Sequence, residues 1–269
     1  VCQFLIGGNA HRLLSLVVDG RQGPRQCLTC RLESASIISD LPAKAALSDM
    51  SWADIARVCR AGQAAEYWQL GDIKPFTYDG SPCQMQLTAF DHYDAADAAY
   101  GREKANIVLH CRQALESSPY ADAKTSGLSW DAQSEGDRSR VRAQTLPSIW
   151  QKLPEALRSA AAQVLVPYYD NVSSGTLASV AEVLFIPSSA ELFGPSAEYS
   201  DGAQYAFYLA GNDKRRYTPS GGAASVWTRT CNAESPSNAN RVARICTAEG
   251  ESSSTSPTNT RGVAPVICI

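Results

Sequence analysis

The chain of 269 residues carries 24 Lys and Arg against 27 Asp and Glu, which gives a formal net charge of −3 at pH 7. Hydrophobic residues make up 44% and charged residues 19%, as is typical of a globular protein with a full core. This charge balance provides no basic surface for nucleic acid or an anionic membrane, and no apolar run approaches the roughly 20 residues that span a bilayer. We therefore expect neither a nucleic-acid partner nor membrane insertion.

The N-terminal 48 residues are predicted to form a small β unit of their own. Apolar runs rich in β formers cover residues 2–6 and 13–18, and residues 28–38 could supply a further strand. Pro42 then marks a break. We expect 1–48 to serve as an attachment unit or linker and 49–269 to form the main domain.

A helix is predicted over residues 48–61. Ser48 can cap it, and Trp52, Ile55 and Cys59 share one apolar face. Gly62 is then placed to end the helix, because glycine adopts the left-handed conformation of a helix C-terminus without strain.

Short strands are predicted over 67–70, 74–78 and 84–90. Between the last two, Asp79 and Gly80 form the dipeptide that favours a tight β-hairpin turn. The main domain therefore begins with mixed helix and strand.

The middle of the chain is predicted to be largely helical. We expect helices over residues 106–116, 139–146, 149–153 and 188–193, with helical character also over 157–164. A short buried strand is expected over 183–186, and 204–210 could be a strand or a short helix. The fold class is accordingly α+β.

The C-terminal stretch is polar between two apolar anchors. Of the 34 residues from Thr228 to Arg261, 16 are Ser, Thr or Asn, which are short hydrogen-bonding side chains suited to loops that meet a partner. Trp227 precedes this stretch, and the apolar residues 263–269 follow it. We expect 263–269 to pair within the main sheet, with Pro265 at an edge or bulge. The pattern favours recognition over chemistry.

An ordered series of motifs runs through residues 49–269. It comprises WADIARV from Trp52, YWQLGD from Tyr67, TLPSIW from Thr145, LPEAL from Leu153, LFIPS from Leu184, ELFG from Glu191, QYAFY from Gln204, WTR from Trp227 and GVAP from Gly262. In this order the series resembles the DUF6273 family of C-type-lectin-like domains found in phage and prophage structural proteins of gut bacteria. The resemblance implies a C-type-lectin-like fold, related to that of formylglycine-generating enzymes, with a loop-rich face near the C-terminus.

Relatives of this fold serve as receptor-binding tips of phage tails. The resemblance therefore implies a ligand-binding face, for which we expect these residues: Asn232, Glu234, Ser235, Ser237, Asn238, Asn240, Thr247, Glu249, Thr255 and Asn259. Trp227 and Arg229 are expected to be structural anchors, with Arg229 either paired to a buried carboxylate or stacked on an aromatic ring. Whether a retroelement diversifies this segment stays open.

The nine cysteines form no strong metal or redox pattern. They are Cys2, Cys27, Cys30, Cys59, Cys83, Cys111, Cys231, Cys246 and Cys268. Cys27 and Cys30 form a lone CxxC, which Cys2 and His11 could complete as a zinc site, but a second pair at finger spacing is absent. We favour mostly free, buried thiols, and a Cys231–Cys246 bridge stays open. No catalytic residues, cofactor or metal are expected.

Two further groups have a chemical and a structural interpretation. His92 stands beside Asp91, Asp94 and Asp97, which could form an acid/base or metal cluster or simply a polar loop, and we favour the loop. The run from Asp213 to Arg216 is interpreted as a solvated loop.

The hypothesis from the sequence is a non-enzymatic virion protein that acts as a receptor-binding or adhesin-like tip. Its partners would be a host-surface receptor, protein or glycan, and other virion proteins through residues 1–48, and it would form a homo-oligomer. It would be made in the bacterial cytoplasm and displayed on the virion. The alternatives are a purely structural capsid or tail decoration and an enzyme of the formylglycine-generating type, although Cys231, Cys246 and Cys268 lie far apart in sequence.

Overall fold

The computed structural model describes residues 41–171, 176–197, 199–235 and 238–269, except for the side chains of 170, 171, 232–235 and 238–241. The chain divides into two compact units, Val1–Leu41 and Pro42–Ile269. The expectations for the CxxC pair, for Cys2 and His11 and for the N-terminal strands lie outside the described residues.

Residues 42–48 belong to the second unit. The Tyr67 hydroxyl donates to the Pro42 carbonyl at 2.7 Å, the Trp68 indole N–H to the Ala45 carbonyl at 3.2 Å, and Lys74 Nζ to the Ser48 carbonyl at 2.9 Å. The division between the units therefore lies at Pro42 itself, the break marked in the sequence, so that residues 42–48 are not part of the first unit.

The described helices are short. The α-helices are α1 Trp52–Arg60, α2 Ala64–Tyr67, α3 Leu146–Lys152, α4 Glu155–Ala160, α5 Ser189–Phe193 and α6 Ala206–Leu209. A π-helical turn, Val141–Thr145, leads into α3 within the predicted helix 139–146. Helix α1 begins later than predicted, because Ser51 rather than Ser48 caps it by accepting from the Asp54 N–H. Gly62 follows with φ +73°, as its role as a helix stop requires.

A four-stranded sheet has the order β1–β2–β3–β13, all antiparallel. Its strands are β1 Ile73–Tyr78, β2 Ser81–Phe90, β3 Ile107–Cys111 and β13 Val266–Cys268. The hairpin predicted at Asp79 and Gly80 is confirmed, because Tyr78 pairs with Ser81 and both turn residues have positive φ, 48° and 78°. Positive φ at both central residues is the signature of the type I′ turn.

A five-stranded sheet has the order β11–β10–β9–β12–β4. Its strands are β4 Glu116–Pro119, β9 Val226–Ser235, β10 Asn238–Cys246, β11 Ser252–Thr255 and β12 Thr260–Val263. Two hairpins stand apart, β5 Val164–Asn171 with β6 Thr176–Glu182 and β7 Arg216–Tyr217 with β8 Ala223–Ala224. The fold is mixed α+β and mostly sheet.

The predicted helix over 106–116 is wrong. Residues 107–111 form β3, a strand with neighbours on both sides and all five residues buried. A strand buried on both faces is apolar throughout, so its hydrophobic pattern cannot be told from that of a buried helix segment.

Three other assignments also differ from the sequence prediction. The strand over 67–70 is absent, because Tyr67 ends α2 and Trp68 packs into the core. Within 183–186 only Phe185 makes a bridge, to Val266. The helical character of 157–164 stops with α4 at Ala160, and Val164 opens β5.

The C-terminal segment joins the two sheets. All of residues 263–269 are buried. Val263 ends β12 in the five-stranded sheet, and β13 pairs with β3 in the other. Pro265 lies between these strands, where its missing N–H costs no ladder bond and its carbonyl accepts from Cys111 N at 2.8 Å. The predicted pairing is confirmed for Val266–Cys268, whereas Val263 belongs to the other sheet, so 263–269 does not form one strand.

Over the described ranges, no helix has both the length and the apolar character needed to cross a membrane.

Candidate functional site

Five of the ten expected ligand-binding residues lie on the outer half of the β9–β10 hairpin. Backbone pairing sets Asn232 opposite Val242 and Ser235 opposite Asn238, the outermost described pair. The five are Asn232, Glu234, Ser235, Asn238 and Asn240, and the expectation for Ser237 lies outside the described residues. The hairpin therefore groups these positions near one tip.

The loop after β11 lies toward the same end of the sheet. Thr255 pairs with Ala243, so the chain leaves β11 in the direction of the hairpin tip. Asn259 Nδ2 donates to Thr255 Oγ1 at 2.7 Å, and the Pro257 carbonyl accepts from Tyr120 N at 2.8 Å. These contacts tie the loop of residues 256–259 to β11 and to the segment that follows β4.

Thr247 and Glu249 do not join this surface. They lie in the turn between β10 and β11, beyond the pair Cys246–Ser252, at the opposite end of β10 from Asn238. Eight residues of extended strand separate the two ends, roughly 25 Å. The expectation that all ten residues form one contact surface is therefore wrong for these two.

Trp227 anchors the base of the hairpin. Its ring is fully buried, its indole N–H donates to the Ser118 carbonyl at 2.8 Å, and Tyr120 packs edge-on at 5.5 Å between ring centroids. Because an indole N–H needs a partner when it is buried, the Ser118 carbonyl of β4 fixes where this large ring sits.

Arg229 forms a buried ion pair with Glu191. Both side chains have 0% exposure. Arg229 Nη1 donates to Glu191 Oε2 at 2.7 Å and Nη2 donates to Oε1, which makes the planar fork-to-carboxylate geometry. Both interpretations of Arg229 are found in the structure, because the side chain pairs with the buried Glu191 carboxylate and its Cζ also lies over the Phe185 ring, 6.0 Å from the centroid.

The rest of the guanidinium is also satisfied. Its Nε donates to the Pro167 carbonyl at 2.7 Å, Nη1 to that of Ile186 at 3.0 Å and Nη2 to that of Asp201 at 3.1 Å. Five N–H groups thus meet five acceptors, and these tie β9 to β5 and to the segments around α5.

Glu191 stays ionised in this setting. Burial by itself raises the pKa of the carboxyl, but the Arg229 charge and its hydrogen bonds outweigh burial and hold the pKa below the ordinary value. The carboxylate also accepts from Ser188 N at 2.9 Å, as part of the capping box of α5, and from the Tyr205 hydroxyl at 3.1 Å. One carboxylate therefore links a helix start, a buried tyrosine and the hairpin base.

Asp201 is a second buried carboxyl next to this pair. Thr230 Oγ1 donates to it at 2.8 Å, and Ser189 N donates to Thr230 Oγ1 at the same distance. Burial raises the pKa of Asp201 to about 6, because the nearby Arg229 charge only partly offsets the loss of water. Sequence reasoning missed this group, since Asp201 stands in a Ser-Asp-Gly stretch typical of an exposed turn.

The acidic residues around His92 do not converge on it. Asp91 pairs with Arg102 at 3.1 Å, Asp94 pairs with Lys104 at 3.2 Å, and Asp97 caps a short 3₁₀ turn. His92 packs edge-on against Tyr93 and Tyr205, and burial lowers its pKa. Within the described ranges, no three His, Cys, Asp or Glu side chains are placed to hold a metal ion.

A second buried polar group, formed by Arg216, His110 and Tyr208, was also not predicted from the sequence. Arg216 is 1% exposed and donates through Nε to His110 Nε2 at 3.3 Å, through Nη1 to the Arg215 carbonyl at 2.7 Å and through Nη2 to the Tyr208 hydroxyl. Burial and the adjacent guanidinium push the pKa of His110 well below its usual value, so the ring is neutral. The interpretation of residues 213–216 as a solvated loop is therefore wrong for Arg216, which no sequence signal separates from its exposed neighbours.

The described cysteines are all free and buried. They are Cys59, Cys83, Cys111, Cys231, Cys246 and Cys268. In the β9–β10 register Cys231 faces Ala243 and Cys246 faces Val226, so the alternative of a Cys231–Cys246 bridge is wrong.

Two open cavities lie on the described surface. A groove of about 560 Å³ beside β4 and β12 contains Glu116, which is already held by Tyr78, Ser148 and Lys152. A polar cavity of about 460 Å³ is lined by Asp122, Glu135, Arg138, Arg140, Ala143 and Gln144. The Pro257 carbonyl accepts from the N–H groups of Tyr120 and Ala121, which directly precede Asp122 of this cavity in sequence.

No family model, curated protein or solved structure matches this chain.

Proposed function

We propose that this chain is a non-enzymatic phage virion protein that binds a host-surface receptor. The contact surface, called here the distal surface, consists of Asn232, Glu234, Ser235, Ser237, Asn238 and Asn240 with Thr255 and Asn259. The observation that carries the proposal is the β9–β10 hairpin, whose outer half is rich in Asn and Ser and whose base is fixed by Trp227 and Arg229.

A fixed base favours recognition for an energetic reason. Binding costs free energy for every side chain and loop that must be ordered at the interface. For the hairpin base and the 256–259 loop, this ordering takes place when the protein folds, through the buried pair of Arg229 with Glu191 and the hydrogen bonds of the loop. Short polar side chains on such a support can then exchange hydrogen bonds with a protein or a glycan.

The proposal includes a C-type-lectin-like fold and membership of the DUF6273 family. Its support is the ordered motif series, together with the mixed α+β architecture and the terminal strand β13 inside a sheet. On this proposal the first unit, residues 1–41, attaches the domain to other virion proteins, and the protein works outside the cell without a cofactor.

The test is a quadruple variant of the distal surface. Asn232, Ser237, Asn238 and Asn240 are replaced together by Ala in the full chain, and adsorption of particles carrying the variant to host cells is measured. We expect adsorption to fall sharply, while the melting temperature stays nearly unchanged because surface replacements usually shift stability by only about 0.5 kcal/mol.

The matched control is the double variant Thr247→Ala and Glu249→Ala, at the other end of β10. It should adsorb like the wild type. Unchanged adsorption in the quadruple variant, with the particles assembled, would remove the receptor-binding proposal and favour a structural decoration role.

A further inference from the structure

The exposed edge of the β5–β6 hairpin is a second candidate interaction site, independent of the distal surface. Strand β6 contains seven residues, Thr176–Glu182, and pairs with β5 on one side. Among the described residues, no backbone hydrogen bond joins residues 177–182 to anything except β5. On the side of β6 away from β5, residues 177–182 therefore present a row of backbone groups that have no backbone partner in the described part of the chain.

Three other described sheet edges, those of β1, β4 and β11, are protected in ways that β6 is not. Strand β1 carries Pro75 and the inward-pointing Lys74, which is 8% exposed. Strand β4 ends in Pro119, and β11 has only four residues. Proline, inward charges and short length are the devices by which proteins prevent edge pairing. Strand β6, with the sequence TLASVAE, has no proline and no basic residue.

The outward face beside this edge is apolar. Leu165 is 40% and Leu177 53% exposed, and these are two of the three large exposed hydrophobic residues in the described part of the chain. In the β5–β6 register Leu165 lies opposite Ala181, and Tyr169 lies opposite Leu177. An added strand would continue these apolar rows.

We propose that β6 pairs antiparallel with β6 of a second copy of this chain, about a two-fold axis at Ser179. Full overlap of seven residues sets Ser179 opposite its own copy, Leu177 opposite Ala181 and Ala178 opposite Val180. On the outer face, a row of side chains then crosses the four strands. It consists of Leu165 and Ala181 from one protomer, followed by Leu177 and Tyr169 from the other. A two-fold axis repeats every such contact, as an isologous interface requires.

Charge selects this arrangement over its alternatives. The only charged residue of β6 is Glu182, and its Oε1 already accepts from Arg142 Nε at 2.5 Å and from the Trp130 indole N–H at 3.3 Å. Antiparallel overlap places Glu182 opposite Thr176, so the two carboxylates lie roughly 20 Å apart. In-register parallel pairing would set them side by side. The edge also offers no free cation for an acidic partner strand, whereas its own sequence is self-complementary.

The first test is the oligomeric state of the full chain. Sedimentation velocity over a concentration series should show a dimer for the wild type and a monomer for Ser179→Lys, because two lysines would meet at the two-fold axis. The matched control Ser254→Lys changes an exposed position on the β11 edge and should stay dimeric. A monomeric wild type, or a Ser179→Lys variant that stays dimeric, overturns the proposal, and a monomeric wild type would leave β6 to a different partner strand.

The second test fixes the register and does not depend on the lysine variant folding. Directly opposite residues in an antiparallel pair have Cα atoms about 4.5–5.5 Å apart, within the roughly 4.4–6.8 Å span of a disulfide. Ser179→Cys should therefore form a covalent dimer under mild oxidation. Leu177→Cys should not, because four residues of offset separate the two copies by roughly 13 Å.

Wild-type protein treated with the same oxidant is the control for the native cysteines. The mixture of Leu177→Cys with Ala181→Cys should form a covalent heterodimer. Equal cross-linking of Ser179→Cys and Leu177→Cys would contradict the register and with it the proposed interface.

Discussion

At the scale of single residues, the base of the β9–β10 hairpin depends on one buried cation. Arg229 meets five acceptors, and Glu191 supplies the opposite charge. A buried pair of this kind adds little to stability compared with a well-packed apolar pair, but removing one partner leaves an uncompensated charge in the core. The ion pair therefore acts mainly by fixing the position of β9, because this placement of the strand gives every N–H group of the Arg229 guanidinium an acceptor.

Replacing Arg229 tests this role. Arg229→Ala leaves the Glu191 carboxylate buried without a counter-charge, and we expect a loss of about 3–5 kcal/mol in the free energy of unfolding by urea titration. The control Arg215→Ala breaks an exposed pair with Asp213 and should change stability little. If both variants lost the same amount, the buried pair would not be the anchor of the hairpin.

Asp201 gives a prediction for the pH dependence of stability. Its pKa is raised to about 6 in the folded state from 3.8, so between these values the native state holds more protons than the unfolded state. The stability that this proton provides is present at low pH and is lost as pH rises toward 6. Asp201→Asn keeps the site neutral, and it should be more stable than wild type at pH 7.5, by on the order of 3 kcal/mol.

The measurement is the difference in unfolding free energy between Asp201→Asn and wild type from pH 4 to pH 8. The difference should grow between pH 4 and 6 and then level off. The lowered pKa values of His92 and His110 make both proteins less stable as pH falls below about 6.5, and this contribution cancels in the difference. A difference that is constant with pH would contradict the assignment.

At the scale of elements, local patterns predicted what local chemistry controls. The β1–β2 hairpin follows from Asp79 and Gly80, and α5 follows from the capping box of Ser188 with Glu191. The helix predicted over 106–116 was wrong because residues 107–111 become a strand by pairing with β2 and β13. These two strands are separated from each other by more than 170 residues of chain. Strand pairing over that distance leaves no periodic signal in the segment itself.

The same distance effect divides the predicted contact surface. Thr247 and Glu249 are close in sequence to Asn240, but the β10 strand carries the chain away from the tip before they occur. Composition alone treats 232–261 as one polar segment, whereas antiparallel pairing sends its parts to both ends of a sheet.

At the scale of the whole molecule, residues 42–48 complete the second unit. Leu47 is 1% exposed, and the carbonyls of Pro42, Ala45 and Ser48 accept from three side chains of the domain. We expect residues 42–269, expressed alone, to unfold in one cooperative transition. The shorter piece 49–269 should be less stable by about 3 kcal/mol or more, since it loses a buried leucine and leaves those donors without partners.

Urea denaturation of the two pieces side by side is the measurement. Equal stability would mean that 42–48 contributes nothing to the domain. A molten 42–269 would mean that residues 1–41 are needed for folding.

The sequence by itself determined the α+β fold class, the turn at Asp79 and Gly80, the helix around Trp52 and the burial of residues 263–269. Propensity, capping and hydrophobicity are sufficient for these features because they act within a few residues. Tertiary structure alone decided that 107–111 is a strand, that Arg216 is buried beside His110, and that Arg229 meets Glu191 and Asp201. It also decided which expected contact residues share the hairpin tip. These outcomes depend on which distant segments pair, and burial of a charge is tolerated only where the fold brings its acceptors together.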